Sequence, residues 1–431
     1  MAGRGREAGA LRMTRRGLLL GGVAASVVQA YAPERANAAM ASAGAAIRVR
    51  VAGVRAPVEI ADDRWGIPHV TARSVPDAFF GHGYVCARDR LWQMDFDRRR
   101  GLGRLASVFG APFVPSDTAN RLFLFQGDAA AELAHYAPVV RESAQAYVAG
   151  VNAFIAETLL DPSLLSPEFA IFDYRPERWD VLDLIRMRAE AVGNTAAEVR
   201  RAQLAAHGAL DLDQLMVTLQ PAWTLKVPEG LDVHAVSERD LGWFAVLQAE
   251  LPFGPGKPAT LHQDPAGRRA NEGSNAWVLA PRLSETGRPI LANDPHLSIG
   301  TPGPRYIAHL TAPGLDAIGG GLPGMIGIMQ GHNAHIAWGR TNFHIDQEDL
   351  FVLRTDPNDA NQYWHNGAWR RFESRRETIT VRNEPDRSVT LRFASAGPVA
   401  SEDPARHRAV AVAATWLQPG VNGNLDRKSV V

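Results

Sequence analysis

Two stretches of this 431-residue chain carry side chains whose types and spacing could do chemistry. The first is Asn271-Glu272-Gly273-Ser274-Asn275-Ala276-Trp277-Val278-Leu279-Ala280, a serine after a glycine and before an apolar run. Glycine lets the backbone adopt a strained conformation. The serine hydroxyl could then attack the carbonyl on its own N-terminal side. Hydrolysis of the resulting ester would free an α-amine with a reference pKa of ~8, a base near neutral pH that needs no histidine–aspartate pair. Taken alone, Gly-Ser-Asn is common and reads as a turn before a strand. The second stretch is His332-Asn333-Ala334-His335 with His344, Asp346 and Asp349. Imidazoles and a carboxylate could hold zinc, and a metal-dependent hydrolase using His332, His335 and Asp346 is the alternative reading. The His-x-x-His spacing counts against it. It does not stack two imidazoles on one helix face, and on a strand residues three apart face opposite sides.

Other patterns fail on context. Gly101-Leu102-Gly103-Arg104-Leu105-Ala106 matches a dinucleotide loop but follows an arginine-rich helix end rather than a strand. Gly256-Lys257 lacks both the upstream glycine and the following Ser or Thr of a phosphate loop. No serine sits in a Gly-x-Ser-x-Gly elbow.

The elements that must position Ser274 divide the chain in two, the pattern of an α+β protein. Strands are expected within Ile47–Ala61. Pro76 opens a helical stretch that Arg98-Arg99-Arg100-Gly101 closes. Ala129–Glu157 has helical spacing with a break at Pro138, and Asp180–His207 is helical again. Residues 39–250 thus form a largely helical part. Residues 251–273, rich in Pro and Gly, form a spacer. From Ser274 to 431 the texture is β-rich, with strands expected at Ala276–Ala280, Tyr306–Leu310, Ile326–Gln330, Ile336–Gly339, Leu350–Leu353, Glu377–Val381 and Val389–Phe393.

Composition narrows the class. Lys+Arg and Asp+Glu are both 46, so no charge excess points to nucleic acid or an anionic membrane as partner. The single cysteine, Cys86, excludes an internal disulfide and a cysteine metal cluster; its apolar neighbours suggest a small buried side chain. Residues 1–38 read as an export leader. Arg15-Arg16 precede an apolar run, and Ala36-Asn37-Ala38 offers a cleavage site, which suggests the twin-arginine route to the periplasm or the exterior.

Order and spacing decide between a turn and a nucleophile at Ser274. After it come Asn293-Asp294-Pro295-His296-Leu297, Leu322-Pro323-Gly324, Gly331-His332-Asn333 and Ile336-Ala337-Trp338-Gly339-Arg340-Thr341-Asn342. Before it stand Asp63-Arg64-Trp65-Gly66-Ile67-Pro68-His69-Val70 and Phe80-Gly81-His82-Gly83-Tyr84-Val85-Cys86-Ala87-Arg88-Asp89-Arg90-Leu91-Trp92-Gln93-Met94. From Val58 to at least Asp356 the chain resembles penicillin acylases and their relatives. The resemblance implies an N-terminal-nucleophile αββα sandwich and a precursor cut between Gly273 and Ser274 into an α/β heterodimer. It implies hydrolysis of the amide of a small N-acyl compound such as a β-lactam side chain or an acyl-homoserine lactone. Ser274 matches the nucleophile, and Asn342 the residue whose backbone N–H forms half of the oxyanion hole. His296 matches the histidine that helps position or deprotonate the nucleophile in the branch acting on aliphatic acyl chains. Leu297, Met329, Gln330 and Arg340 fall at acyl-pocket positions. Asp346 and Asp349, with Glu198 and the Glu348 carbonyl, match a structural Ca²⁺ site. The part after Gly273 is much shorter than that family's β-subunits, and Asn422 and Asn424 come too early to complete the oxyanion hole. The chain is therefore expected to be a fragment, with an exported binding protein lacking activity as the non-enzymatic alternative.

Overall fold

The computed structural model describes residues 53–187, 194–216, 224–249, 251, 273–296, 302–341 and 346–420. The expected leader, the strand at Ile47–Val51, the spacer apart from its two ends, and Leu297, Asn342, His344, Asn422 and Asn424 lie outside them. All described residues except Leu251 fall in one unit, Val51–Glu250 with Ala259–Val431.

The first half is mainly helical for reasons visible in its sequence. Helix α1 (Val75–Gly101) starts at Ser74, whose hydroxyl accepts from the Asp77 amide at 3.2 Å, and carries Pro76 in its first turn. Its basic end does more than stop the helix. Arg98 and Arg99 are buried and pair at 2.7 Å with Asp183 and Asp95. Helices α2 (Val114–Leu122), α3 (Ala129–His135) and α4 (Pro138–Leu160) follow, with the expected break at Pro138. Helices α5 (Thr195–Ala206) and α6 (Gly242–Gln248) come later, with shorter helical turns between. Helices α1 and α4 cross at glycines. A Cβ on Gly83 would stand 2.0 Å from Tyr147 O, and one on Gly150 would stand 2.0 Å from Phe80 O. Gly83 in the Phe80–Met94 run therefore serves close packing.

The second half is β-rich. A six-stranded sheet runs β1 (Glu59–Asp62), β2 (Pro68–Thr71), β5 (Tyr306–Ala312), β6 (Leu315–Gly321), β7 (Gln330–His332) and β8 (Ala337–Trp338) in spatial order. The pairing of β2 with β5 is parallel, with His69 opposite His309. The N-terminal part is thus not purely helical: β1 and β2 join the sheet of the second half. A five-stranded sheet runs β12 (Glu373–Ile379), β13 (Arg387–Ala394), β14 (Gly397–Asp403), β15 (Arg408–Ala414) and β9 (Glu348–Arg354). Two hairpins stand apart as sheets, β3 (Gly273–Leu279) with β4 (Ile290–His296), and β10 (Gln362–His365) with β11 (Ala368–Arg371). The strand expected at Ile326–Gln330 is displaced. Gly327 at φ +96° turns the chain there, so Ile326, Ile328 and Met329 are buried in a loop and only Gln330 enters β7.

One apolar cluster packs Phe79, Met94 and Tyr147 of the helices against Val70, Leu310 and Ala317 of the first sheet. Another packs Leu122, Phe123 and Phe244 against Leu391 and Val412 of the second and Trp416 just after it. Each sheet is therefore backed by helices on the face the hydrophobic alternation selects.

Candidate active site

Ser274 is the second residue of β3. The hairpin register sets Gly273 opposite His296, Ser274 opposite Pro295, Asn275 opposite Asp294, and Ala276 opposite Asn293. Side chains alternate along a strand, and paired residues share a face. Ser274, Ala276, Asn293 and Pro295 therefore belong to one face, and Asn275, Asp294 and His296 to the other. The imidazole expected to assist the serine thus projects from the opposite face of the hairpin, one pair away along the strands. His296 Nε2 lies 3.1 Å from both Asn275 Nδ2 and Asp294 Oδ2. A ring nitrogen either donates or accepts. The carboxylate is the stronger partner, so Nε2–H donates to Asp294.

The polar side chain on the serine's own face is Asn293, which the sequence offered only as part of the Asn293-Asp294-Pro295-His296 run. Its Oδ1 accepts from Arg340 N–H at 2.9 Å, and its Nδ2 donates to Arg340 O and Asn275 O, each at 3.0 Å. Gly339 makes room for it, since a Cβ there would stand 2.8 Å from Asn293 Cγ. Arg340, expected in the acyl pocket, is thus brought by its backbone to the hairpin of Ser274; the residue as a whole is exposed. Met329 is buried, with its sulfur 3.9 Å from Arg305 Nη1. Gln330 opens β7 opposite Gly320. Trp338 Nε1 donates to Ile328 O at 3.0 Å, tying β8 to the loop that carries Met329. Gly273 occupies the first position of β3.

The residues of the zinc reading are placed apart. His332 ends β7, and His335 sits in a turn closed by Asn333 Oδ1, which accepts from the His335 and Ile336 amides at 2.8 Å. Asp346 instead meets Asn194 at 3.0 Å. Among the described residues, no three or more His, Cys, Asp or Glu side chains are grouped to hold a metal ion.

Asn194, just before α5, is a hub the sequence did not reveal. Its Nδ2 donates to Glu198 Oε1 (2.5 Å), Glu348 O (2.9 Å) and Asp346 Oδ1 (3.0 Å), while its Oδ1 accepts from Gln347 N (3.2 Å). Three of the four expected calcium donors thus converge on one point, which an amide nitrogen fills. Burial, and then the carboxylates of Asp346, Asp349 and Glu348, push the Glu198 carboxyl up to about 7. The Glu348 side chain is buried and turned elsewhere. It accepts from Trp416 Nε1 (2.9 Å), Asn194 N (3.1 Å) and Thr195 Oγ1 (3.3 Å).

With this geometry in view, similarity to known proteins gains meaning. A family model described as penicillin amidase matches residues 57–426. The penicillin acylase 2 proenzyme of Pseudomonas sp. (strain SE83) is 31% identical over 366 residues, which cover 82% of this chain and 45% of that protein. Penicillin G acylase of Escherichia coli is 27% identical over 400 residues, 83% of this chain and 47% of the relative. The acyl-homoserine lactone acylase QuiP of Pseudomonas aeruginosa is 26% identical over 347 residues, 79% and 39% respectively. The chain spans less than half the length of these relatives.

Proposed function

The chain belongs to the penicillin amidase family, and from that membership we propose that the whole protein hydrolyses the amide bond of small N-acyl compounds with Ser274 as an N-terminal nucleophile. The observation that carries the reading is the hairpin register. It sets Ser274 at the start of β3, beside a strand whose Asn293 reaches the Gly339–Arg340 backbone.

In maturation, Ser274 Oγ attacks the Gly273 carbonyl. The peptide C–N bond breaks as the nitrogen takes a proton, and water opens the ester to leave Gly273 as a carboxylate. The freed α-amine then accepts the Oγ proton while Oγ attacks the substrate's acyl carbon. Backbone N–H groups, among them that of Asn342, receive the developing oxyanion, each such donor worth roughly 10²–10³ in kcat. The proton passes to the leaving amine, and water releases the acyl group from Ser274.

Names among the relatives, an acylase proenzyme and an acyl-homoserine lactone acylase, support the same reaction class. We also propose export through the Arg15-Arg16 leader, an αββα sandwich in the complete protein, and α/β heterodimer assembly after the cut.

Intact mass and N-terminal sequencing of the protein expressed from its complete reading frame test the central claim. The expected result is two chains, one beginning at Ser274, and a single uncleaved chain for Ser274→Ala. Cleavage of Ser274→Ala between Gly273 and residue 274 would overturn it.

A further inference from the structure

We propose that Asn293 is a positioning residue for this reaction: its carboxamide clamps the Gly339–Arg340 backbone to the strand that carries Ser274, fixing the nucleophile relative to the segment leading to Asn342. The inference rests on the acylase reading above.

Three observations carry it. Asn293 shares the serine's face of the hairpin, whereas His296 does not. Its carboxamide uses both N–H donors and one oxygen lone pair on three backbone groups within hydrogen-bond distance. That pattern also fixes the amide orientation. A flipped amide would set its oxygen against the carbonyls of Asn275 and Arg340 and its NH₂ against the Arg340 N–H, losing all three bonds. Third, Gly339 lies so close that any Cβ would strike Asn293 Cγ, Cβ and Oδ1 at 2.8–2.9 Å. The clamp is thus built from both sides: an amide that bridges the hairpin to the segment after β8, and a glycine that lets the bridge close.

The physical consequence is specific. The side chain bonds Arg340 through both its N–H and its C=O, as a neighbouring strand would. It therefore sets the separation of the two backbones as well as their register. Residue 342 follows two positions later in sequence. Attack geometry and oxyanion donors must be held together to well under 1 Å, and a misplacement of ~1 Å costs roughly 10²-fold in rate. An interaction that only positions these groups should act on the transition state and leave substrate binding nearly unchanged.

The test uses the protein from its complete reading frame, with activity referred to the fraction bearing a free Ser274 N-terminus. Asn293→Asp is nearly isosteric and keeps the acceptor for Arg340 N–H, but turns an anion toward two carbonyl oxygens. It should lower kcat about 10- to 100-fold with KM within about threefold of wild type. Gly339→Ala, which disturbs the clamp from the segment after β8, should do the same. Combining Gly339→Ala with Asn293→Ala should cost no more than Asn293→Ala alone, because the shortened side chain leaves room for the new Cβ. A variant that melts like wild type yet fails to free Ser274 also supports the clamp, since self-cleavage needs the same attack. A raised KM with unchanged kcat, or fully additive losses in the double variant, overturns the proposal. Wild type that hydrolyses no acyl amide overturns the acylase reading and this inference together. An active wild type matched by Asn293→Asp overturns this inference alone.

Discussion

At the scale of single residues, burial decides behaviour more than residue type does. His82 lies inside α1 between the rings of Phe79 and Tyr147, with centroids 6.3 and 5.3 Å away, and its Nδ1 has no hydrogen-bond partner. Burial pulls its pKa from 6.5 down to about 4. The folded state therefore holds it neutral where the unfolded chain would take a proton. Its contribution to stability is present above pH 6.5 and is lost as pH falls toward 4, by at most about 1.4 kcal/mol per pH unit. His82→Leu removes the titration, so its melting temperature should fall less than wild type's between pH 7 and pH 4.5. Parallel melting-temperature profiles for the two proteins would refute this. Cys86, in the same core, is the complementary case. Burial pushes its thiol up to about 12, which keeps it protonated and inert at neutral pH, as its apolar neighbours in the sequence suggested. Asn293 and Asn194 were not legible in this way. The role of a carboxamide depends on the backbone groups it meets, and here Arg340 lies 47 residues from Asn293, and Gln347 and Glu348 lie 153 and 154 from Asn194.

At the scale of elements, legibility followed local chemistry. Helix α1 could be read from its proline start and its basic end, and the break between α3 and α4 from Pro138. Strands β4 and β6 could not. Ile290–His296 contains Asn, Asp and Pro, which signal a turn, yet it is held extended by pairing with β3 along its whole length. Leu315–Gly321 ends in three glycines that read as a loop. Two of them are required by close approach, since a Cβ on Gly319 would stand 2.1 Å from Gln330 O and one on Gly321 2.6 Å from Gly327 O. The same glycine strand borders β7 and the loop of Met329, and with it the region the acyl chain is proposed to enter. Met329 is unbranched and adapts to a flexible chain. Leu297 would add an aliphatic wall. We expect kcat/KM of the complete protein to rise with acyl chain length, roughly 0.8 kcal/mol per buried methylene, until the pocket is full. Hexanoyl, decanoyl, glutaryl and phenylacetyl amides of one leaving group distinguish the possibilities. A phenylacetyl optimum would rule out the aliphatic pocket, and a glutaryl optimum would assign the choice to the Arg340 cation instead.

At the scale of the whole molecule, cleavage before Ser274 would leave two chains with no covalent link, so contacts across the cut must hold them together. Some are ion pairs between the halves, such as Arg121 with Glu377 at 3.1 Å and Arg382 with Asp173 at 3.2 Å. These are partly exposed and individually weak. The Asn194 hub is different in kind. It draws the start of α5 onto the start of β9 through Asp346 and the Glu348 carbonyl, at a point where burial and then the neighbouring carboxylates push the Glu198 carboxyl up to about 7. Hard oxygen donors converging on one point suit Ca²⁺. We propose that calcium binds there when the Asn194 amide turns aside, with Glu198, Asp346, Asp349 and the Glu348 carbonyl as its ligands. The ion would neutralise the cluster and join the two chains. Calcium at about 100 times its Kd should then stabilise the folded protein by about 2.7 kcal/mol, by mass action. The measurable consequence is a melting temperature that rises from EDTA to millimolar Ca²⁺ in wild type. Glu198→Gln and Asp349→Asn each remove one anionic ligand, so either should shrink that rise. After maturation, EDTA should also promote separation of the two chains on gel filtration. If melting curves in EDTA and in excess Ca²⁺ superimpose, and the chains stay together in both, the halves are held together without calcium and the ion has no structural part in the protein.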